Sequence, residues 1–233
     1  MPERELGRRA TNEFGIDGTV CGRSSVAGPD TLQPLASAIL DLEEWLSGVR
    51  VPHLFIGGVA VAFLARPRTT NDVDGIVLVP DDGFADFLRS ATKHGFPSRH
   101  SDAATFARSN RIFLLRHASS GVDVDLSAGS LGFEQEIVQK ARRVVAFGRS
   151  LPIPRAADLV ILKAIAARPQ DYADIAAVLE QNPRLDKKRV LRLVSLFAEL
   201  LEAPELVTGI ESLFRGKGIR SRFPAPASGY SRK

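Results

Sequence analysis

Between residues 35 and 46 the apolar positions Leu35, Ile39, Leu42, Trp45 and Leu46 recur at helical spacing, which predicts an amphipathic helix ending near Gly48. The pattern then changes. Residues 53–56 read as a short strand, and beyond the pair Gly57-Gly58 the run VAVAFLA is apolar on every side, as in a buried helix stopped by Pro67. Residues 72–79 read as the next strand, ended by Pro80. A helix starting near Asp81 or Asp82 then carries Phe84, Phe87 and Leu88, and residues 111–115 and 122–126 read as two further strands. From Arg155 onward the pattern predicts consecutive helices, broken near Pro169, Pro183 and Pro204, without an internal repeat. Strands mixed with helices first and helices alone afterwards make this an α+β chain. A catalytic or binding domain is expected over residues 31–150 and a helical region over 151–215.

Composition adds the ends and the compartment. Residues 1–30 are poor in large apolar side chains, and residues 216–233 (GKGIRSRFPAPASGYSRK) are basic and rich in Gly, Pro and Ser, so both ends are expected to be mobile. The 233-residue chain is 44% hydrophobic and 25% charged, an ordinary globular balance. No apolar run is long enough for a membrane span. The single cysteine, Cys21, cannot form an internal disulfide, and no signal peptide is visible at the start, so a cytoplasmic location is expected. A formal charge of +4 and a pI near 9.5 tolerate a nucleic-acid partner without requiring one.

The candidate chemistry begins with two carboxylates. Side chains alternate along a strand, so Asp72, Asp74, Ile76 and Leu78 share one face while Val73, Val77 and Val79 share the other. Like charges this close raise each other's pKa unless a cation lies between them, and a divalent metal such as magnesium is the simplest such cation. Gly57 and Gly58 suit the same picture, because glycines at a helix start let backbone N–H groups approach a phosphate closely. In GVDVDLSAG a further carboxylate, Asp123 or Asp125, would join Asp72 and Asp74 if the strands are neighbours. Such a cluster is what metal-assisted phosphoryl or nucleotidyl transfer requires. Taken singly, each motif also has an ordinary structural explanation; their order gives them weight.

In that order, GGVAVAFLARPRTTNDVD resembles the signature of the nucleotidyltransferase superfamily, in the AbiEii-like branch that includes the MenT toxins. VDLSAGSLGFE is similar to the third-aspartate strand of that branch, aligning Asp125 with its aspartate, and DLVILKAIAARPQDYADI is similar to its helical motif, aligning Lys163, Arg168, Pro169, Asp171 and Asp174. The resemblance covers about residues 53–179. It implies a nucleotidyltransferase fold with a small mixed β-sheet flanked by helices. It further implies magnesium, one or two ions, at Asp72, Asp74 and Asp125, and a nucleoside triphosphate at Gly57, Gly58, Arg68, Thr70 and Lys163. Asp72, Asp74, Asp125 and Lys163 are then the catalytic set. The acceptor stays open between tRNA, as for toxins of a toxin–antitoxin pair, and a protein or small molecule such as an antibiotic. A partner antitoxin is equally open, and a non-catalytic nucleotide-binding module of the same fold is the alternative.

Lys163 lies among Leu159, Val160, Ala166 and Ala167, so its ammonium either snorkels from an apolar face or serves a phosphate. Asp171 and Asp174 are expected to be structural, Asp174 by orienting Lys163. Arg66 and Arg68, the group Lys187, Lys188, Arg189 and Arg192, and the tail residues Lys217, Arg220 and Arg222 are the bases available to an RNA acceptor. Other chemistries are disfavoured. His53, His94, His100 and His117 lack paired-ligand spacing for zinc, and no GxxxxGK[ST], GxGxxG or GxSxG motif occurs.

Overall fold

Alternating burial sets the sheet. In the computed structural model, which describes residues 29–66 and 70–216, helix α1 (Pro29–Gly48) leads into strand β1 (His53–Phe55), helix α2 (Gly57–Leu64) and strand β2 (Asp72–Val77). A 3₁₀ turn (Asp81–Gly83) and helices α3 (Phe84–Lys93) and α4 (Ala103–Asn110) connect to strands β3 (Ile112–Arg116) and β4 (Asp123–Ala128). Helix α5 (Gly132–Gln139) precedes a separate hairpin of β5 (Arg142–Ala146) and β6 (Arg149–Ile153). The rest is helical: α6 (Ala156–Ala166), α7 (Pro169–Gln181), α8 (Lys187–Leu200) and α9 (Glu205–Phe214). The expected α+β architecture, a small mixed sheet flanked by helices with helices following, is the one observed.

The main sheet runs β1-β2-β4-β3, with β2 and β4 parallel in the middle and both edges antiparallel. Val73, Val77, Val124 and Leu126 point into the larger core, where Leu42 and Trp45 of α1 join Phe84, Phe87 and Phe96. Trp45 fixes this side: its ring lies 5.1 Å from Phe87 and 5.4 Å from Phe96, and its Nε1 donates to Ser90 Oγ at 2.9 Å. The same core continues into α6–α9 through Leu159, Ile175, Val194 and Ile210. On the other face Ile76 and Leu54 meet Ile137 and Val138 of α5, a small second core. Helix α5 thus covers the far end of that face, and the acidic ends of β2 and β4 lie beyond it.

The helical half is tied to the sheet through α2. Asn182 Nδ2 donates to the carbonyl of Leu64 at 2.7 Å, and Arg66 pairs with Glu180 at 2.8 Å. Among the described residues, no helix is long and apolar enough to cross a membrane. The expectations for residues 1–28, for Arg68 and for the tail from Lys217 onward, including Arg220 and Arg222, lie outside the described residues.

Candidate active site

The parallel register of β2 and β4 pairs Asp72 with Asp123 and Asp74 with Asp125. Because alternation is in step in paired strands, all four carboxylates fall on one face, with Val73 and Val124 fully buried between them on the other. The open choice between Asp123 and Asp125 is therefore one of position along β4: Asp125 is the neighbour of Asp74, and Asp123 that of Asp72.

The turn from β1 into α2 closes against these acids. Ile56 N–H donates to the carbonyl of Asp74 at 2.9 Å, and Gly57 follows with a φ of +57°. A Cβ at Gly57 would lie 1.9 Å from Asp74 Oδ2, and one at Gly58 would lie 2.4 Å from Thr70 Oγ1. Only glycines let the backbone come this close. Thr70 Oγ1 in turn donates to Asp72 Oδ1 at 2.8 Å. Gly57, Gly58, Thr70, Asp72, Asp74 and Asp125 are thus brought together. Arg68 lies outside the described residues.

Electrostatics divides the four acids by strand. On β4, Asp123 pairs with Arg99 at 3.2 Å and Arg116 at 2.8 Å, and Asp125 pairs closely with Arg99. On β2, among the described residues, neither Asp72 nor Asp74 makes an ion pair. Burial, with the charges of Asp72 and Asp125 beside it, raises Asp74 to about 6, against the weaker opposing pull of Arg168 and Lys163. Burial also raises Asp125, with Arg99 pulling it down and Asp72 adding to the rise.

Lys163 sits on α6, buried, with its Nζ 2.9 Å from Asp171 Oδ1 and 2.8 Å from Asp174 Oδ2, both on α7. Its ammonium reaches Asp74 only as a field. Of the two readings left open for Lys163, snorkelling is excluded, since the head is buried with the stem; the ammonium sits in a buried ion triad. Hydrogen bonds from Arg168 and Lys163 hold the Asp171 carboxyl below its usual range despite its burial. Arg168 itself caps α7: its backbone N–H donates to Asp171 Oδ2 at 3.2 Å and its Nε at 2.7 Å. Its side chain is 68% exposed, and its charge is felt by both Asp74 and Asp72.

Two residues near the acids were not singled out as site residues from the sequence. Arg168 had a signal, standing in the quoted helical motif ahead of Pro169. Arg99 had none, since it lies in a loop between α3 and α4, remote in sequence from every acid it pairs with. One proposed RNA contact changes place: Arg189 turns inward, 3.0 Å from the fully buried Asp158 and 3.2 Å from Glu136, while Lys187, Lys188 and Arg192 are exposed.

No protein-family model matches the chain, and no curated sequence matches it. Among solved structures, the antibiotic-resistance factor ANT(2'')-Ia in solution matches with a TM-score of 0.50 at 14% identity, over 76% of this chain and 96% of the other. An antigenic nucleotidyltransferase-like protein from Paracoccidioides brasiliensis matches with a TM-score of 0.47 at 16% identity, over 77% and 93%. The lincosamide antibiotic adenylyltransferase LnuA, bound to lincomycin, matches with a TM-score of 0.44 at 14% identity, over 63% and 94%. The fold is nucleotidyltransferase-like.

Within this nucleotidyltransferase-like fold, the donor set can be tested for a metal. Among the described residues, no three His, Cys, Asp or Glu side chains are gathered to ligate one ion as they stand. Asp125 Oδ1 is taken by Arg99. Asp72 and Asp74 still fit a hard divalent cation, which needs only one or two protein carboxylates. Among the described residues no cation pairs with either carboxylate, and Asp74 is raised chiefly by its burial, with repulsion from Asp72 and Asp125 adding to it, a repulsion that a cation relieves.

Proposed function

We propose that the chain is a magnesium-dependent nucleotidyltransferase that moves a nucleoside monophosphate from a nucleoside triphosphate to an acceptor hydroxyl, the bond between the α- and β-phosphates breaking and pyrophosphate leaving. The observation that carries this reading is the register of β2 on β4, with the Gly57-Gly58 turn pressed onto Asp74 and Thr70. Asp72 and Asp74 would hold magnesium, which when bound supplies charge neutralisation and polarisation at the phosphates. The backbone at Gly57 and Gly58, at the start of α2, receives the triphosphate, with Thr70 beside it. Arg68 is assigned to the same phosphates. Arg168, exposed and felt by both β2 acids, is placed to face the anion. Lys163 keeps a supporting role, holding α6 to α7 and lowering the Asp74 pKa through space. Asp125 orients the acceptor hydroxyl and receives its proton.

For the acceptor we favour RNA, with tRNA and a toxin role as the specific form and an antitoxin as partner. The exposed Lys187, Lys188 and Arg192 support a backbone-tracking surface. ANT(2'')-Ia, an antibiotic-resistance factor, supports a small molecule instead. Incubating the purified chain with each α-labelled NTP, magnesium and total RNA, total protein or a panel of antibiotics tests both. Label on RNA that is lost in Asp74→Asn is expected; nucleotide binding without any transfer would leave a binding module.

A further inference from the structure

Arg99 is held more firmly than a solvated surface arginine. Its backbone N–H donates to the Leu114 carbonyl at 2.8 Å and its Nε to the Leu115 carbonyl at 2.9 Å, so β3 fixes both ends of the residue. The remaining nitrogens reach the two acids of β4: Nη1 lies 3.2 Å from Asp123 Oδ2, and Nη2 contacts Asp125 Oδ1. Its side chain is only 26% exposed. A planar guanidinium with five donors on a rigid fork suits such a bridge between two carboxylates, where a lysine would reach one. The four acids thus form two unequal pairs, one already carrying a fixed positive charge and one that, among the described residues, has no ion-pair partner.

We propose that Arg99 serves as the built-in second cation of the site, so that the chain takes one divalent ion, at Asp72 and Asp74, and Asp125 is held by Arg99 instead of by a second ion. This rests on the nucleotidyltransferase reading of the same acids. The guanidinium neutralises the β4 side permanently and keeps Asp125 oriented whether or not nucleotide is bound. A second ion would have to displace Arg99 from Asp125, breaking a contact that β3 anchors.

Manganese titration of the full chain, with free Mn²⁺ counted by electron paramagnetic resonance, tests this without reference to activity. Wild type is expected to take one ion per chain. Asp125→Asn should leave that affinity within about threefold, whereas Asp72→Asn should lower it by about tenfold or more. Arg99→Gln frees Asp125 and is expected to add a second ion, while Arg116→Gln, whose guanidinium pairs with Asp123 and, among the described residues, not with Asp125, should not. Two ions in wild type, or a loss of about tenfold or more in Asp125→Asn, overturns the proposal. So does a folded Arg99→Gln that still takes a single ion with unchanged affinity. The Asp125→Asn arm decides the matter if Arg99→Gln does not fold. Failure of wild type to bind Mn²⁺ at all, with Asp72→Asn indistinguishable from it, overturns the metal-site reading itself and the Arg99 assignment with it.

Discussion

Gly57 and Asp74 occupy space that no larger residue at position 57 could share, because a Cβ there would fall 1.9 Å from Asp74 Oδ2. The glycine stands at a φ of +57°, a conformation that costs other residues about 1 kcal/mol or more. Gly57→Ala is therefore expected to fold with a modest loss of stability but to push the Asp74 carboxylate aside. Divalent-ion affinity should fall by about tenfold, as when the orientation of a ligand is lost. Gly132→Ala, at a position with open space around it, should change neither stability nor affinity by a comparable amount. Calorimetric titration with Mn²⁺ beside thermal melts makes the comparison.

The raised pKa of Asp74 has a stability consequence with a definite sign. The unfolded chain gives up this proton near 3.8, the folded chain near 6. Between those values the folded state holds more protons, so the contribution of Asp74 is fully present below about pH 4 and is lost as pH rises through about 6. Asp125 is raised as well, whereas Glu43 runs the opposite way, lowered by its hydrogen bonds to His53 and Ser47 against its burial. The difference between wild type and Asp74→Asn isolates the effect. In metal-free buffer the relative stability of Asp74→Asn is expected to grow between pH 4.5 and 7.5, and magnesium should reverse the ranking at pH 7.5. A difference that is flat with pH would show that the carboxylate is not under strain.

The acidic face was legible because β2 and β4 each alternate cleanly, so period alone put Asp72 with Asp74 and Asp123 with Asp125. The register that joins them was not legible, since it depends on the crossover through α3, α4 and β3. The β5–β6 hairpin was missed for local reasons. Pro152 argues against a strand interior and is tolerated here only because the ladder has two strands, and the turn is Phe147-Gly148, with φ values of +52° and +76°, instead of an Asn-Gly pair. Helix α4 escaped notice because it buries only Ala107, although Asp102 caps it at Thr105 N–H. Arg99 shows the limit most clearly. No spacing connects it with Asp125, 26 residues away; only the fold does.

Lys163 separates a structural from a ligand role by stability. Its replacement by Met removes the cation that Asp171 and Asp174 share, although Asp171 keeps Arg168 at 2.7 Å, so the cost is expected to stay below the roughly 3–5 kcal/mol of a buried pair broken outright. The single variant is expected to melt below wild type. Adding Asp171→Asn and Asp174→Asn should restore part of the loss, because the two carboxylates that shared the ammonium are then neutral. Urea denaturation of the single and triple variants measures both steps. Wild-type stability in Lys163→Met, with a raised KM for nucleotide, would instead place the ammonium on the triphosphate.

The acceptor can be separated by salt and by charge reversal, provided the right residues are reversed. Arg189 must be left in place, because its contact with the fully buried Asp158 is structural and its loss would confound the measurement. Lys187, Lys188 and Arg192 are exposed on α8, so they can be changed to Glu at little cost to folding beyond the contact of Lys187 Nζ with the Phe214 ring 5.2 Å away. Neutralising phosphates releases bound counterions, so affinity for RNA falls steeply as salt rises, and each lost contact lowers the slope by about one. Transfer to total RNA is expected to weaken sharply between low and moderate salt, and the triple reversal should reduce it at every salt concentration while leaving the melting temperature close to wild type. The matched experiment on a small antibiotic acceptor should show little salt dependence and no effect of the reversal. RNA transfer that ignores both salt and the reversal would remove α8 as the contact surface.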